Sequence, residues 1–398
     1  MVPSFRLARE EDLERIVDIH AAAFPDPRGR DARRRNFVQN VRGRLEDLHL
    51  ATVGGVVVAH GFLFRLDASF GGRLVPSAGI ASVGVAPEAR GRGIGTTLVS
   101  HLHEVARRDG RDLAILHAFR QGFYSRLGYG PVTPYVRLRF HPGAIPFGVE
   151  RPIRRAGGND AAAMHVCWEE EALRHSGALS RASHPAVWDA RLTDEGRTWM
   201  VAEGDGGVEG YVAWTLIQRE PHADVVLRVT DLAARTPAAW RSLWGIISAQ
   251  RDQVTEVQVD TAQCDPIVGA LVDADRDRSG TEDLEHGFGD LAGGPLVRLL
   301  DVPRALSARG YPVDGSLVLA IEDVHIELDV IGGRGRVVPT DAPAELQMTR
   351  PTLAAIAFGA MPVSAAARIG WVRARDDRAL AIAGALLALP PYFSQDPF

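Results

Sequence analysis

The sequence predicts an α/β (α+β) chain of three domains: two mixed-sheet units in tandem and a smaller α/β domain after them. Three observations carry this. At 398 residues, with 46% hydrophobic and 24% charged, the chain has an ordinary globular balance but is too long for one compact core. Segments of period-2 and period-3.6 hydrophobicity alternate along its whole length. One order of elements (helices, hairpin, strand, helix, strand) occurs twice before the last hundred residues begin.

In the first unit, Leu13, Ile16, Val17 and Ile19 repeat at helical spacing and predict a helix over 10–23 that ends at Phe24 and Pro25. Residues 27–35 hold five arginines and read as a solvated loop. The runs HLATV and VVVAHGFLFRL, joined by Gly54 and Gly55, read as a hairpin over 48–66. A short apolar strand follows at 80–85, then a glycine-rich turn and a helix to about 108 in which Ile94, Leu98, Leu102 and Val105 share one face. Residues 112–118 predict a buried strand, 123–127 a short helix, and 132–140 a last strand of this unit with Arg137 and Arg139 pointing outward.

Three prolines and two glycines at 142–152 mark a linker. Helices at 159–193, strands within 198–232, a helix at 235–250 and a strand at 254–259 then repeat the first unit. The acidic, glycine-bearing stretch 279–294 marks a second linker. Beyond it come a helix to 309, strands at 316–322, 325–331 and 335–338, and helical patterns at 351–358 and 376–387. The domains are accordingly 1–145, 146–290 and 291–398.

Composition excludes several classes. A formal net charge of −5 argues against a nucleic-acid footprint and suits a cationic substrate. All 45 basic residues are arginine. Apolar runs stop well short of the roughly 20 residues a membrane span needs, and the N-terminal segment lacks a secretory pattern, so an intracellular, cytoplasmic protein is expected. Cys167 and Cys264 are the only cysteines, which precludes a disulfide framework or a four-thiol metal site; no metal is expected.

Between the strand at 80–85 and the following helix lies Ala86-Pro87-Glu88-Ala89-Arg90-Gly91-Arg92-Gly93-Ile94-Gly95. An R-x-x-G-x-G match alone is weak, but at a strand-to-helix junction the unpaired N–H groups and the positive helix end make an anion site. Gly91, Gly93 and Gly95 let backbone approach a pyrophosphate, and Arg90 and Arg92 can add charge-assisted contacts. The Gly-x-Gly-x-x-Gly spacing of a dinucleotide fold is absent, and coenzyme A suits the arrangement better. The second unit has Leu232-Ala233-Ala234-Arg235-Thr236-Pro237 at the matching place, which is not a phosphate cradle; it reads as a degenerate copy.

Through VGVAPEARGRGIGTTL (83–98) the sequence resembles the GNAT acyltransferase superfamily. Through QGFYSRLGYGP (121–131), the length, LLDVP (299–303) and the aromatic final residue, it resembles the enhanced intracellular survival (Eis) acetyltransferase family within it. The resemblance implies two tandem GNAT-like regions, of which only the first binds acetyl-CoA, followed by a sterol-carrier-protein-like domain. It also implies hexamers, and acceptors that are small-molecule or peptide amines: aminoglycosides, polyamines and lysine side chains. Carried over by motif position, Val83, Gly84 and Val85 would bind the pantetheine arm. Arg90, Gly91, Arg92, Gly93, Ile94, Gly95 and Thr96 would hold the pyrophosphate, with Phe119 and Arg120 also lining the cofactor. Tyr124 would be the general acid and the terminal carboxylate of Phe398 the general base.

These roles make chemical sense. An amine attacks a thioester only as its free base, so its proton needs an acceptor, and a carboxylate whose pKa is raised by partial burial can take it. The leaving thiolate can be protonated by a phenol within hydrogen-bond reach. The plainer readings are that Tyr124 is core with a satisfied hydroxyl and Phe398 a frayed end. His117 is an alternative base, His101 and His103 read as surface or packing residues, and Asp26 and Asp396 could hold a cationic amine, though such aspartates mostly cap or solvate loops. The function expected is acetyl-CoA-dependent N-acetyl transfer by direct attack in a ternary complex; the rival is a non-catalytic CoA- or lipid-binding scaffold.

Overall fold

The structure, a computed structural model, describes residues 2–25, 27–218, 224–273, 287–390, 392–396 and 398. Two compact units divide it: 1–132 with 295–389 and 398, and 133–294 with 390–397.

The first unit opens with β1 (Ser4–Leu7) and α1 (Leu13–Ala23), whose Leu13, Ile16, Val17 and Ile19 are buried as the periodicity requires. Asp12 fixes the entry to α1 by accepting from the Arg9 N–H at 2.9 Å and from the Arg6 guanidinium at 2.6 and 2.7 Å. The arginine-rich segment read as a loop is a helix, α2 (Gly29–Val38). Its Phe37 and Arg33 are buried, and the Arg33 guanidinium donates to the Phe24 carbonyl. A helix closed by a buried arginine bond to a carbonyl has no signature in hydropathy, which is why the run looked solvated.

Strands β2 (Leu48–Val53) and β3 (Val56–Ser69) form the expected hairpin. Gly54 and Gly55 sit at φ +57° and +81°, the left-handed pair that a two-residue turn between right-twisted strands needs. β4 (Leu74–Val85) is longer than expected and pairs antiparallel with β3. α3 (Ile94–Arg108) buries Ile94, Leu98, Val99 and Leu102. β5 (Leu113–Leu116), α4 (Gln121–Ser125) and β6 (Gly130–Pro131) follow.

The strand predicted over 132–140 forms as β7 (Tyr135–Phe140), but in the second sheet, antiparallel to a strand at Glu256–Ala262. Its outward arginines are paired, Arg137 with Asp260 at 2.8 Å and Arg139 with Asp290 at 2.9 Å. The stretch 142–152 is no free linker. Ala144 and Ile145 are core residues, and the Glu150 and Arg151 N–H groups donate to Ser242 Oγ at 2.9 and 2.8 Å.

The second unit continues with β8 (Ile153–Arg155), α5 (Ala161–Ala172), α6 (Ala186–Leu192), β9 (Arg197–Gly204), β10 (Gly207–Gln218), β11 (Val225–Ala234), α7 (Pro237–Ser248), β12 (Glu256–Ala262), α8 (Pro266–Ala270) and β13 (Gly289–Ala292). Of the stretch expected as a second linker, 279–286 lie outside the described residues. β14 (Leu296–Leu299) then enters the first sheet between β5 and β6. The two seven-stranded sheets have the orders β1-β2-β3-β4-β5-β14-β6 and, written from its other edge, β8-β9-β10-β11-β12-β7-β13. They are the same topology with the sixth strand exchanged.

The last domain holds α9 (Val302–Ala308), β15 (Gly315–Ile321), β16 (Val324–Ile331), β17 (Arg334–Pro339), β18 (Leu346–Met348), α10 (Arg350–Ala357), α11 (Val363–Arg368), β19 (Val372–Ala374) and α12 (Asp377–Leu386), on a five-stranded sheet β17-β16-β15-β18-β19. No helix among the described residues is long and apolar enough to cross a membrane.

Candidate active site

The site of the first unit begins where two strands part. β4 and β5 pair in parallel only at Ser77–Leu113, Ala78–Ala114 and Gly79–Ile115. β5 stops one residue later, whereas β4 runs on to Val85. From Ile80 onward no strand among the described residues pairs with the edge of β4 that faced β5, which leaves room for another extended group. On its other edge β4 carries a bulge: His60 pairs with Gly84 and Phe62 with Ala81, so Ser82 and Val83 oppose Gly61 alone. Ser82 takes φ +50°, a conformation uncommon for a residue with a side chain. Gly84 is bare because a Cβ there would stand 2.7 Å from His60 Nε2. His60 is itself fully buried, and that burial pushes its imidazole down to about 3, so it is neutral.

At the end of this open edge lies the glycine turn. Gly91 and Gly93 adopt φ +74° and +76°, and a Cβ at either would have no heavy atom of the described residues within 4 Å. Gly93 is the N-cap of α3 without any capping side chain, and the first helical bond is Thr97 N–H to the Gly93 carbonyl at 3.0 Å. The N–H groups of Ile94, Gly95 and Thr96 therefore precede the ladder, at the positive end of a 15-residue helix. Such a mouth takes an anion, and a pyrophosphate fits it. Arg90 is committed otherwise: its Nε donates to the Val85 carbonyl at 3.1 Å and its Nη2 to the Ala22 carbonyl at 2.9 Å, tying the loop to β4 and α1. Arg92 is exposed.

In the second unit the corresponding helix mouth is closed. Thr236 caps α7 by accepting from the Ala239 N–H at 3.2 Å, and Pro237 has no N–H to offer.

α4 lies beside the open mouth, since a Cβ on Gly95 would come within 3.6 Å of the Phe123 ring. Phe119 is 75% exposed and Arg120 is exposed at the N-cap of α4. Tyr124 is buried, its ring edge-on to Phe123 at 4.8 Å and to Tyr129 at 5.8 Å between centroids. Burial pushes its phenol up to about 12, so the hydroxyl is a donor at any physiological pH.

Phe398 reaches the fork from the other end of the chain. Its ring stands over Gly79, the last β4 residue paired with β5, edge-on to Phe64 at 6.3 Å and to His117 at 5.6 Å. His117 is exposed, yet desolvation by its neighbours holds its imidazole below the usual histidine range. His103, read as surface or packing, is buried and bonded to Tyr129; His101 stacks on Phe5 at 4.2 Å.

Of the two aspartates expected to hold an amine, only Asp396 is among the described residues. Asp26 lies outside the described residues. Asp396 is buried in the second unit, where Arg181 Nε approaches it at 3.0 Å and Arg191 Nη2 at 2.5 Å, so its charge is matched by arginine and is not held out for an amine. Sequence reasoning also missed Gly79 and the bulge at Ser82. Gly79 would have signalled a close approach only had the strand been expected to start earlier, since glycine inside a strand marks a bulge or a close approach and β4 begins at Leu74.

A forked mixed sheet whose fourth strand leads through an uncapped glycine turn into a helix defines a GNAT-type acyltransferase. Residues 4–132 match the GNAT acetyltransferase domain, 177–288 match it a second time, and 302–394 match the sterol carrier protein domain. The chain belongs to the Eis N-acetyltransferase family: it is 30% identical over 358 residues to N-acetyltransferase Eis of Mycobacterium tuberculosis, covering 82% of each sequence. A GCN5-related N-acetyltransferase from Kribbella flavida superposes with a TM-score of 0.81 at 26% identity, over 100% of this chain and 99% of that one. Eis1 from Mycobacterium abscessus, at 20% identity and full mutual coverage, shares the fold with a TM-score of 0.79. The protein is thus an N-acetyltransferase, and enzymes of this class use acetyl-CoA.

Proposed function

We propose that the chain transfers the acetyl group of acetyl-CoA to a primary amine, of an aminoglycoside, a polyamine or a lysine side chain, by direct attack in a ternary complex. The observation that carries this is the continuity of the open β4 edge with the uncapped mouth of α3. The edge offers a ladder to the amide-bearing pantetheine arm, the mouth an anion cradle to the pyrophosphate, and the thioester is left at the fork. Val83, Gly84 and Val85 would pair with the arm, and Gly91 to Thr96 would hold the pyrophosphate. Arg92 stands ready to add charge, whereas Arg90 serves chiefly as the tie of the loop.

In the reaction the amine nitrogen bonds to the thioester carbon, the carbon–sulfur bond breaks, and the amine loses a proton. The carboxylate of Phe398, the last residue of the sequence, takes that proton; His117 beside its ring is the alternative acceptor. Tyr124 faces the leaving thiolate. With its phenol near 12 and a free thiol near 8.5, full transfer is uphill by about 3.5 units, about 5 kcal/mol, before CoA is enclosed. Tyr124 therefore stabilises the thiolate by donating a hydrogen bond, and the phenol gives up its proton as the thiolate loses water.

The test is CoA release, read with a thiol reagent, from acetyl-CoA with kanamycin, spermidine, a lysine peptide and no amine. Amine-dependent release supports the reading. Binding of acetyl-CoA without release under any amine sinks it in favour of a scaffold. Hexamers are proposed on the family resemblance, and light scattering at the 43.0 kDa monomer mass would refute them.

A second reading concerns the last domain. Helices α10, α11 and α12 line a cavity of about 440 Å³ with Ile356, Met361, Val363, Leu380 and Leu387, a size and lining that suit a small apolar ligand. A fluorescent fatty acid that binds Leu380→Trp as tightly as it binds the parent would speak against it.

A further inference from the structure

We propose that Gly79 is a positioning residue for acetyl transfer: its missing side chain is the seat on which the Phe398 ring lies, and that seat holds the Phe398 carboxylate at the fork between β4 and β5. The proposal rests on the reading that this carboxylate takes the amine proton.

Gly79 has no conformational reason to be glycine, since it is not among the residues with positive φ, and glycine within a strand is destabilising by about 0.5–1 kcal/mol relative to alanine. The reason is space. A Cβ at position 79 would lie 2.9 Å from Cε2 and 3.0 Å from Cδ2 of Phe398, and 2.6 Å from Cδ1 of Leu66, closer than carbon atoms approach without displacement.

The walls of the seat come from three strands or their ends. Phe64 is the direct cross-strand partner of Gly79 and meets the Phe398 ring edge-on, at 89° between planes. Leu66 lies two residues further along β3, on the same face. His117, just past β5, meets the ring at 70°. The floor is Gly79, whose pairing with Ile115 is the last before the strands part. The ring is thus gripped on three sides at the place where the fork opens. Backbone geometry keeps a terminal carboxylate within about 3 Å of its own Cβ, so fixing the ring limits where the carboxylate can be. In this arrangement the ring locates and the carboxylate reacts.

The experiment measures kcat and KM for acetyl-CoA, with kanamycin as acceptor, in five chains besides the parent: Gly79→Ala, Phe398→Ala, the two combined, Gly79→Ala with Leu66→Ala, and a chain lacking Phe398. Phe398→Ala keeps a carboxylate at the same position but removes the ring. Expected are losses of at least 10-fold in kcat for Gly79→Ala and for Phe398→Ala, with KM for acetyl-CoA within 2-fold of the parent. The double variant should be no slower than Phe398→Ala, because the Cβ then has no ring to displace. The acidic limb of the kcat profile should shift in Gly79→Ala, as it must when a carboxylate changes surroundings. Adding Leu66→Ala should leave Gly79→Ala slow.

A parental kcat in Gly79→Ala, a loss that multiplies with that of Phe398→Ala, or recovery on adding Leu66→Ala would each overturn the proposal. The last would show that the Leu66 contact alone was responsible. Full activity in the chain lacking Phe398 would instead remove the reading on which the proposal stands.

Discussion

His103 Nε2 and the Tyr129 hydroxyl meet at 2.8 Å inside the first unit, and on the other side of the imidazole Arg298 Nη1 lies 3.3 Å from Nδ1. An arginine can only donate, so Nδ1 accepts and Nε2 carries the proton given to Tyr129. Tyr129 in turn presents its ring to Tyr124 at 5.8 Å, and the candidate acid is thereby propped from behind by a neutral, fully committed histidine.

Burial pushes His103 and His60 down to about 3 each. Their folded pKa lies below the unfolded value near 6.5, so below pH 6.5 the unfolded chain binds protons that the folded chain refuses. Stability is then fully present above about pH 6.5 and is lost as pH falls toward 3, at up to about 1.4 kcal/mol per pH unit for each group. Calorimetry between pH 7 and 5 should show a falling Tm, with a shallower fall in His103→Gln. A Tm independent of pH over that range would contradict the assignment.

Tyr124→Phe should lower kcat by about 10²- to 10⁴-fold, the range for a lost proton donor, with little effect on KM for acetyl-CoA. Because the phenol lies near 12, its own ionisation should put no alkaline limb on kcat between pH 7 and 10. A limb that is present in the parent and absent in Tyr124→Phe would show a far more acidic tyrosine.

At Gly93, the N-cap of α3, alanine would be forced to φ +76°. The backbone term alone costs about 1–2 kcal/mol. Equilibrium binding should show acetyl-CoA affinity reduced at least 10-fold, while Tm falls by only a few degrees. Unchanged affinity would place the pyrophosphate elsewhere.

Since Thr236 and Pro237 close the second mouth, titration calorimetry should give one acetyl-CoA per chain. Two sites would show that the second unit had kept its cradle despite the cap.

Asp396→Asn should be damaging through the fold. The buried Arg181 would keep Asp231 at 2.9 Å but lose half its counter-charge. Breaking a buried pair in this way costs about 3–5 kcal/mol, which denaturant melts would register as a lower midpoint. If instead Tm held and KM rose for cationic acceptors alone, the substrate-binding role would be restored.

What the sequence revealed and what it hid follow one physical division. The Gly54-Gly55 hairpin, the face of α3 and the glycine turn were legible because turn chemistry and periodicity are local, and so was the lack of a glycine turn at Thr236-Pro237, where Thr236 caps α7. Tyr124 and Phe398 owe their proposed roles to family resemblance, because nothing local distinguishes an aromatic that acts from one that packs. Hidden were the features decided by partners distant in sequence. Arg33 is buried because a carbonyl in another element awaits it, Asp396 is occupied by arginines some two hundred positions away, and a Cβ at Gly79 would meet both Leu66 and the final residue. The membership of β7 was equally invisible, as its alternating pattern fits either sheet.

The exchanged sixth strands also impose a timetable. During synthesis, at about 5–20 residues per second, the strands from β1 to β6 emerge early, yet the gap between β5 and β6 can be filled only after Leu299 has left the ribosome. Until then the nascent first sheet carries an open edge at β5 in its interior, the kind of surface that captures a wrong strand. Folding of the first sheet is therefore a late event, and a fragment ending at residue 132 would lack the strand between β5 and β6.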